Sequence, residues 1–516
     1  MLRHTTVVFQ SLLLVASCCA QQMPAVLAEP QRIRNFRPPQ LQSRPLAVQL
    51  QRKVDELRQK LNRRARRVGL QEAVEQSLLH NPVLAQSYSQ IQQQQWSLIA
   101  VRRQWYPQLQ AGSASTNLFG YRGNTTQYLK SNEAGFQPNT SYRNLVETGP
   151  AMQLSWTFFD PTRSPSISAA SESLKAQQLL FDVSARDLVL ETQLAYFALQ
   201  EQEQLIAAYE LILNSTTQQV ERTEALFNAG SVSISDVEQI RTQQLQNLGT
   251  VIDTYRQLVD AAARLAQAMA MPTGMMVLPQ DKLALVGLWT LSEAETLKQA
   301  ERLREEIKAS LAQSSSSGWR ATALFNTYWP SFSIQASGSS LYNNMTQGSS
   351  TTAATTNRET SQWDGAVGLG FTWSIFDGGI NAAQAEASKA EARQFVNQAS
   401  LQQLSVAREV ERAYASYEAS ALSLASTKEQ LQSAQKAAEA VRERFNIGFA
   451  DITSVVQTYN QSLLAASAYA RSITEFNSAV ASLYRYSARW PDGALPLIQE
   501  SRDAEDTNLC LRFQCW

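Results

Sequence analysis

Two periods of apolar residues divide this chain. In the long central stretches they return at helical spacing, as in Leu174, Leu180, Val183, Leu188, Leu194, Phe197, Ile206 and Leu213, with Gln, Ser, Thr and Glu between them. Such a stripe is thin for a helix facing a solid core and suits a coiled-coil wall with a wet face. In three short stretches the period falls to two. Met152, Leu154, Trp156 and Phe158 alternate with Gln153, Ser155 and Thr157; Phe332, Ile334 and Ala336 alternate with Ser331, Ser333 and Gln335. Val367, Leu369, Phe371, Trp373 and Ile375 alternate with Gly368, Gly370, Thr372 and Ser374. Each predicts a strand with one apolar and one polar face, of about the length a bilayer requires. A fourth strand over Leu109–Leu118 alternates poorly and follows from the duplication described below.

Punctuation sets the helix lengths. No proline occurs from Ser166 to Met271, where the only glycines are Gly230 and Gly249, or from Ile380 to Trp490, where the only glycine is Gly448. Proline costs about 3 kcal/mol inside a helix and glycine about 1. Each segment therefore reads as two very long helices broken once, near Gly230 and near Gly448. A helix from Arg163 to Asn228 spans about 100 Å and needs lateral partners. Alanines at 382, 385, 387, 390 and 392 allow close approach of a neighbour.

The landmarks occur twice, in the same order, roughly 220 residues apart. Trp105-Tyr106-Pro107 returns as Tyr328-Trp329-Pro330, Trp156-Thr157-Phe158-Phe159-Asp160 as Trp373-Ser374-Ile375-Phe376-Asp377, and Phe227-Asn228-Ala229-Gly230 as Phe445-Asn446-Ile447-Gly448. The chain is thus a tandem of one unit, over residues 68–290 and 291–490. Trp105, Tyr106, Trp156, Phe158, Tyr328, Trp329, Trp373 and Phe376 fall where strand meets helix, the place of an interfacial aromatic belt. Polar loops are expected over Phe119–Pro150 and Gly338–Gln362. Four strands cannot close a barrel in lipid, because open edges leave backbone groups unpaired, so several copies must assemble.

Composition narrows the class. The 45 basic and 45 acidic residues cancel, which gives no global field toward nucleic acid. Residues 1–28 read as a secretory signal, with Val26-Leu27-Ala28 as the cleavage site and a lipobox ending at Cys18 as the alternative. Residues 29–67 read as a basic Pro/Arg-rich linker that becomes helical near Val54. Residues 491–516 form a tail in which Cys510 and Cys515 could pair. Two histidines, His4 and His80, offer no metal site, and no thiol–imidazole pairing, phosphate-cradling glycine loop or zinc spacing is present. No enzyme and no cofactor are expected.

The ordered, duplicated motifs resemble the TolC family of outer-membrane efflux and secretion proteins. The likeness rests on Gly69-Leu70-Gln71-Glu72-Ala73 with His80-Asn81-Pro82, the two strand entries, Phe376-Asp377-Gly378-Gly379, and Arg444-Phe445-Asn446-Ile447-Gly448. It implies a mainly α protein with membrane β: four transmembrane strands and long coiled-coil helices per protomer, forming a homotrimeric β-barrel continued by a periplasmic α-barrel. It implies an outer-membrane channel subunit for passive export of solutes or proteins in a tripartite efflux or type I secretion system. The periplasmic adaptor (membrane fusion) protein and the inner-membrane transporter would then dock at Asn228, Gly230, Arg444, Asn446 and Gly448. The resemblance places the pore constriction at Ser235, Asp236, Asp451, Ser454 and Gln457; Ser454 and Gln457 stand where family members often carry aspartates. A trimeric coiled-coil stalk or adhesin without transport is the alternative.

Overall fold

A computed structural model describes residues 46–114, 119–132, 135–272, 274–349 and 355–490. The signal segment with Cys18, the linker up to residue 45, and the tail with Cys510 and Cys515 lie outside the described residues. The chain divides into two compact units after Glu56. In the first, the described part is the start of helix α1 (Leu46–Arg64), where Lys53 pairs with Glu56 at 2.8 Å. The helix thus begins eight residues before the expected Val54, and the segment read as linker ends in regular structure.

The second unit opens with the rest of α1, strand β1 (Ala65–Val68), and helices α2 (Leu70–His80) and α3 (Pro82–Arg103). Asn81 separates the two helices. Its side chain accepts from Val83 N at 2.9 Å and donates to Ala268 O at 2.7 Å, while Pro82 opens α3 without needing a donor. Strand β1 pairs in parallel with the later β6 (Met276–Pro279). Tyr196 secures this corner by donating to Val68 O or Asp281 Oδ2, both 3.2 Å away.

Two very long hairpins follow from the punctuation. Helix α4 (Arg163–Asn228) turns at Gly230 into α5 (Ile234–Ala268), and α8 (Ile380–Asn446) turns at Gly448 into α9 (Ile452–Tyr486). Between them lie α6 (Glu293–Leu303) and α7 (Glu305–Asn326). The α4 seam departs from the expected stripe at one point. Leu180 is 43 % exposed, and Phe181 enters the core beside Tyr88 of α3. Of the alanines on α8, Ala385 is buried, and Ser314 of α7 donates to Ala392 O at 2.9 Å, so the small residues do admit a close neighbour.

Where the long helices pass α7, three buried arginines lock them together. Arg186 of α4 meets Glu305 at 2.9 Å, Arg304 meets Glu306 and Glu409 of α8, and Arg485 of α9 meets both Asp187 of α4 and Glu306. Each charge in this belt ties one repeat to the other or to α7.

The sheet differs from the expected four strands and two loops. Among the described residues six strands form it: β2 (Gln108–Ser113), β3 (Phe119–Asn132), β4 (Gly135–Thr148), β5 (Pro150–Phe159), β7 (Ser331–Ser349) and β8 (Thr355–Thr372). They make four antiparallel lanes, because β3 prolongs β2, and β4 prolongs β5, along an unbroken β7. The expected loops over 119–150 and 338–362 are therefore mostly strand. Their Ser, Thr and Asn residues lack an apolar face, yet backbone ladders join each lane to its neighbour. Gly149 sits where β4 gives way to β5. A Cβ there would lie 1.7 Å from Ser340 O of β7, so no side chain fits this crossing. The fourth strand is shorter than expected; residues 115–118 lie outside the described set.

Candidate functional site

Register turns the alternation along each strand into two faces of the whole sheet. Leu109, Leu154, Ala336 and Val367 lie in one transverse row, and Trp156, Ile334 and Leu369 in the next. Phe332 and Phe371 face each other one step on, with Phe158 and Phe159 beside them across a bulge. On the opposite face the matching rows read Gln108, Ser155, Gln335 and Gly368, then Gln110, Gln153, Ser337 and Ala366. One face is apolar in every lane; the other carries Gln and Ser in three lanes, Gly and Ala in β8, and no charge. In the single chain the apolar face is bare: Val367 is 82 % and Leu369 80 % exposed. Left in water, that face would be a large aggregation site; in lipid it is satisfied.

Aromatic residues bound this apolar band at both ends. At the helix end all eight predicted belt residues, Trp105, Tyr106, Trp156, Phe158, Tyr328, Trp329, Trp373 and Phe376, lie within the strand entries and exits. The duplication has a physical reason here. Trp156 donates its indole N–H to Trp105 O at 2.9 Å, and Trp373 donates to Tyr328 O at 2.8 Å, the same bond in each repeat. Asp160 and Asp377 repeat too: each accepts from a backbone amide two residues later and turns strand into helix. The far end carries a second belt that the sequence reading missed, made by Trp363, Tyr342 and Tyr121 on the lipid-side face. Along β8, Trp363 and Phe371 are separated by about 26 Å at 3.3 Å per residue, or about 20 Å of height for a strand tilted by about 40°. Its signal was the odd-numbered alternation of β8 continuing to Trp363.

Both outer lanes of this sheet are open. Among the described residues β2 pairs only with β5, β3 only with β4, and β8 only with β7. An apolar belt of this height with two unpaired edges cannot stand in lipid as one chain.

At the opposite ends of the long helices the two hairpin tips lie side by side. Gly230 adopts φ +75° and Gly448 φ +81°, the left-handed turn that ends each helix. Ser231 N closes back on Leu226 O and Phe449 N on Arg444 O, at 2.9 and 2.8 Å. Val220, Ile240, Phe445, Ile452 and Val455 form a small shared core beneath the turns. Arg222 reaches Asn446 O at 3.4 Å and Gln239 reaches Thr453 at 3.3 Å, so the structure brings the tip residues of both repeats together.

The residues expected at a constriction occupy the first turns of α5 and α9. Asp236 closes a capping box with Ser233, whose amide and hydroxyl both meet its carboxylate at 2.8 Å. Asp451 caps α9 by accepting from Ser454 N at 3.1 Å. Those bonds hold the Asp451 carboxyl below the ordinary aspartate range, with the Ser454 hydroxyl contributing most. Both aspartates thus have structural tasks. Ser235 and Gln457 are exposed, and Ser454 is half-buried.

The outer membrane efflux protein family matches residues 73–271 and 296–489, one segment for each repeat. The chain belongs to that family. Outer membrane protein TolC of Salmonella enteritidis is 23 % identical over 398 residues, covering 75 % of each chain. The outer-membrane channel OprN superposes with TM-score 0.62 at 18 % identity, covering 82 % of this chain and 90 % of that one. The CmeC outer membrane channel of Campylobacter jejuni gives TM-score 0.64 at 14 % identity, covering 84 % and 89 %. The outer membrane efflux proteins are channels of the outer membrane that extend into the periplasm, and this chain is such a channel subunit. The coiled-coil stalk without transport finds no support: the lipid-facing sheet has no part in it. No helix among the described residues is long and apolar enough to cross a membrane.

Proposed function

We propose that three copies of the chain close the four-lane sheet into a twelve-lane barrel that exports solutes or proteins passively. The energy comes from an inner-membrane transporter. A periplasmic adaptor couples the two at the hairpin tips, through Asn228, Gly230, Arg444, Asn446 and Gly448. The tip turns bearing Ser235, Asp236, Asp451, Ser454 and Gln457 form the narrow end of the tunnel. The carrying observation is the sheet itself, apolar on one side and polar on the other, with both edges unpaired.

Reconstitution in planar bilayers tests the conduit. Assembled protein should give stepwise ion conductance, and assembled but silent protein would overturn the reading. Cysteines placed at Gly230 and Gly448 should crosslink to an envelope adaptor in intact cells; crosslinks confined to the outer-membrane surface would contradict docking at the tips.

A further inference from the structure

Resting on the channel reading, the polar face of the sheet can be followed past the membrane. Through the apolar band it carries no charge. Asp364 is its first charged residue, bonded to Gln362 at 2.9 Å, and Glu147 follows two rows further out. Beyond them the sign changes. Arg122 of β3 lies opposite Leu145, Leu145 opposite Met345, and Met345 opposite Arg358 of β8, so one row across the four lanes holds two arginines. The next row holds Arg143, opposite Asn124 and diagonal to Arg122, about 7–8 Å away.

All three arginines are exposed, and none has a carboxylate partner among the described residues. Along β8 their row lies about 17 Å beyond Trp363, outside the bilayer and on the face turned away from lipid. Strand alternation keeps them there: a one-residue slip would move every apolar side chain off the lipid face. Three unpaired guanidiniums per copy, nine in a trimer, would raise the local concentration of anions at the mouth, and their forked donors match phosphate and carboxylate oxygens.

We propose that Arg122, Arg143 and Arg358 form an anion-binding collar at the outer exit of the pore, taking solutes that carry several phosphate or carboxylate groups. Glu147, one row nearer the membrane, opposes them and limits how far the anion enters.

Titration calorimetry of the full-length assembled protein in detergent, with tripolyphosphate as the probe, tests the collar without requiring conductance. The native protein should bind it, more weakly as salt rises. The triple variant Arg122→Gln, Arg143→Gln, Arg358→Gln should lose roughly tenfold or more in affinity, and Glu147→Gln should gain. Arg358→Gln alone, an exposed change on a paired strand, should show a smaller loss and guards against misfolding of the triple variant. Undiminished binding by the triple variant, or none by the native protein, overturns the collar. Bilayer recordings separate the two readings. Normal conductance without tripolyphosphate binding sinks the collar alone, whereas binding by silent assemblies sinks the conduit and leaves the collar.

Discussion

Helices α4 and α8 hold equivalent places in the two repeats and are nearly equal at 66 and 67 residues, yet they live in different surroundings. Helix α4 lies inside, with α3, α5, α7 and α9 packed around it, and buries Phe181, Leu188, Tyr196, Leu199 and Ile206. Helix α8 touches mainly α7 and α9 and buries few side chains, chiefly small ones such as Ala385 and Ala399. On its free side Leu401, Leu404 and Leu422 are 66 to 75 % exposed. The two helices have the same sequence period but different neighbours. In the proposed trimer, what α4 receives from its own chain α8 would receive from another copy.

The largest expected effect follows from that difference. Leu401→Asp with Leu404→Asp should abolish assembly while leaving the helical content intact, as read by light scattering and circular dichroism. The corresponding burial of charge on α4, Leu199→Asp, should prevent folding altogether. If the α8 double variant assembles normally, the two helices are not distinguished in the way described.

The arginine belt that joins the pair comes next. Arg485→Met removes the cation that holds α9 against α4 and leaves the buried Glu306 short of one partner; a loss of about 3 kcal/mol should appear in thermal unfolding. Burial would raise the Glu306 carboxyl, but Arg485 and Arg304 outweigh it and hold it below the usual glutamate range. A lowered folded value means that the stabilisation is complete at neutral pH and is lost as pH falls through that value. Glu306→Gln should therefore be less stable than the native protein at neutral pH and lose less stability as pH falls, as read by thermal unfolding across pH; an unchanged acid limb would contradict this.

Smaller effects sharpen the equivalence of the repeats. Trp156→Phe and Trp373→Phe each remove one indole donor, and each should cost about 1 kcal/mol. Clearly unequal losses would show that the two junctions are not the same device. Ser233→Ala should cost about 1 kcal/mol, seen as faster amide exchange confined to the start of α5.

Much of this was legible because the signals were long or repeated. The absence of proline and glycine over whole segments gave both hairpins, and the ordered landmarks gave the tandem. The polar strand extensions were not legible, because Ser, Thr and Asn over 338–349 read as loop until a partner strand supplies the ladder. Leu180 and Phe181 are adjacent, and period alone cannot choose between them. At the tips, the sequence alone does not show that Asp236 closes a capping box on Ser233 or that Asp451 caps α9; those bonds need the turn geometry. The outer aromatic belt and the arginine rows needed register, which no single strand contains.

In the proposed assembly one chain supplies only part of a barrel, and further copies complete its open edges. Cysteines at Gln110 on β2 and Gly368 on β8, introduced together and oxidised in native membranes, test it directly. The account predicts a ladder of crosslinked species ending at the trimer, with none when either cysteine is present alone on every copy. Crosslinks formed only within one chain, or an uncrosslinked monomer that remains soluble without detergent, would contradict it.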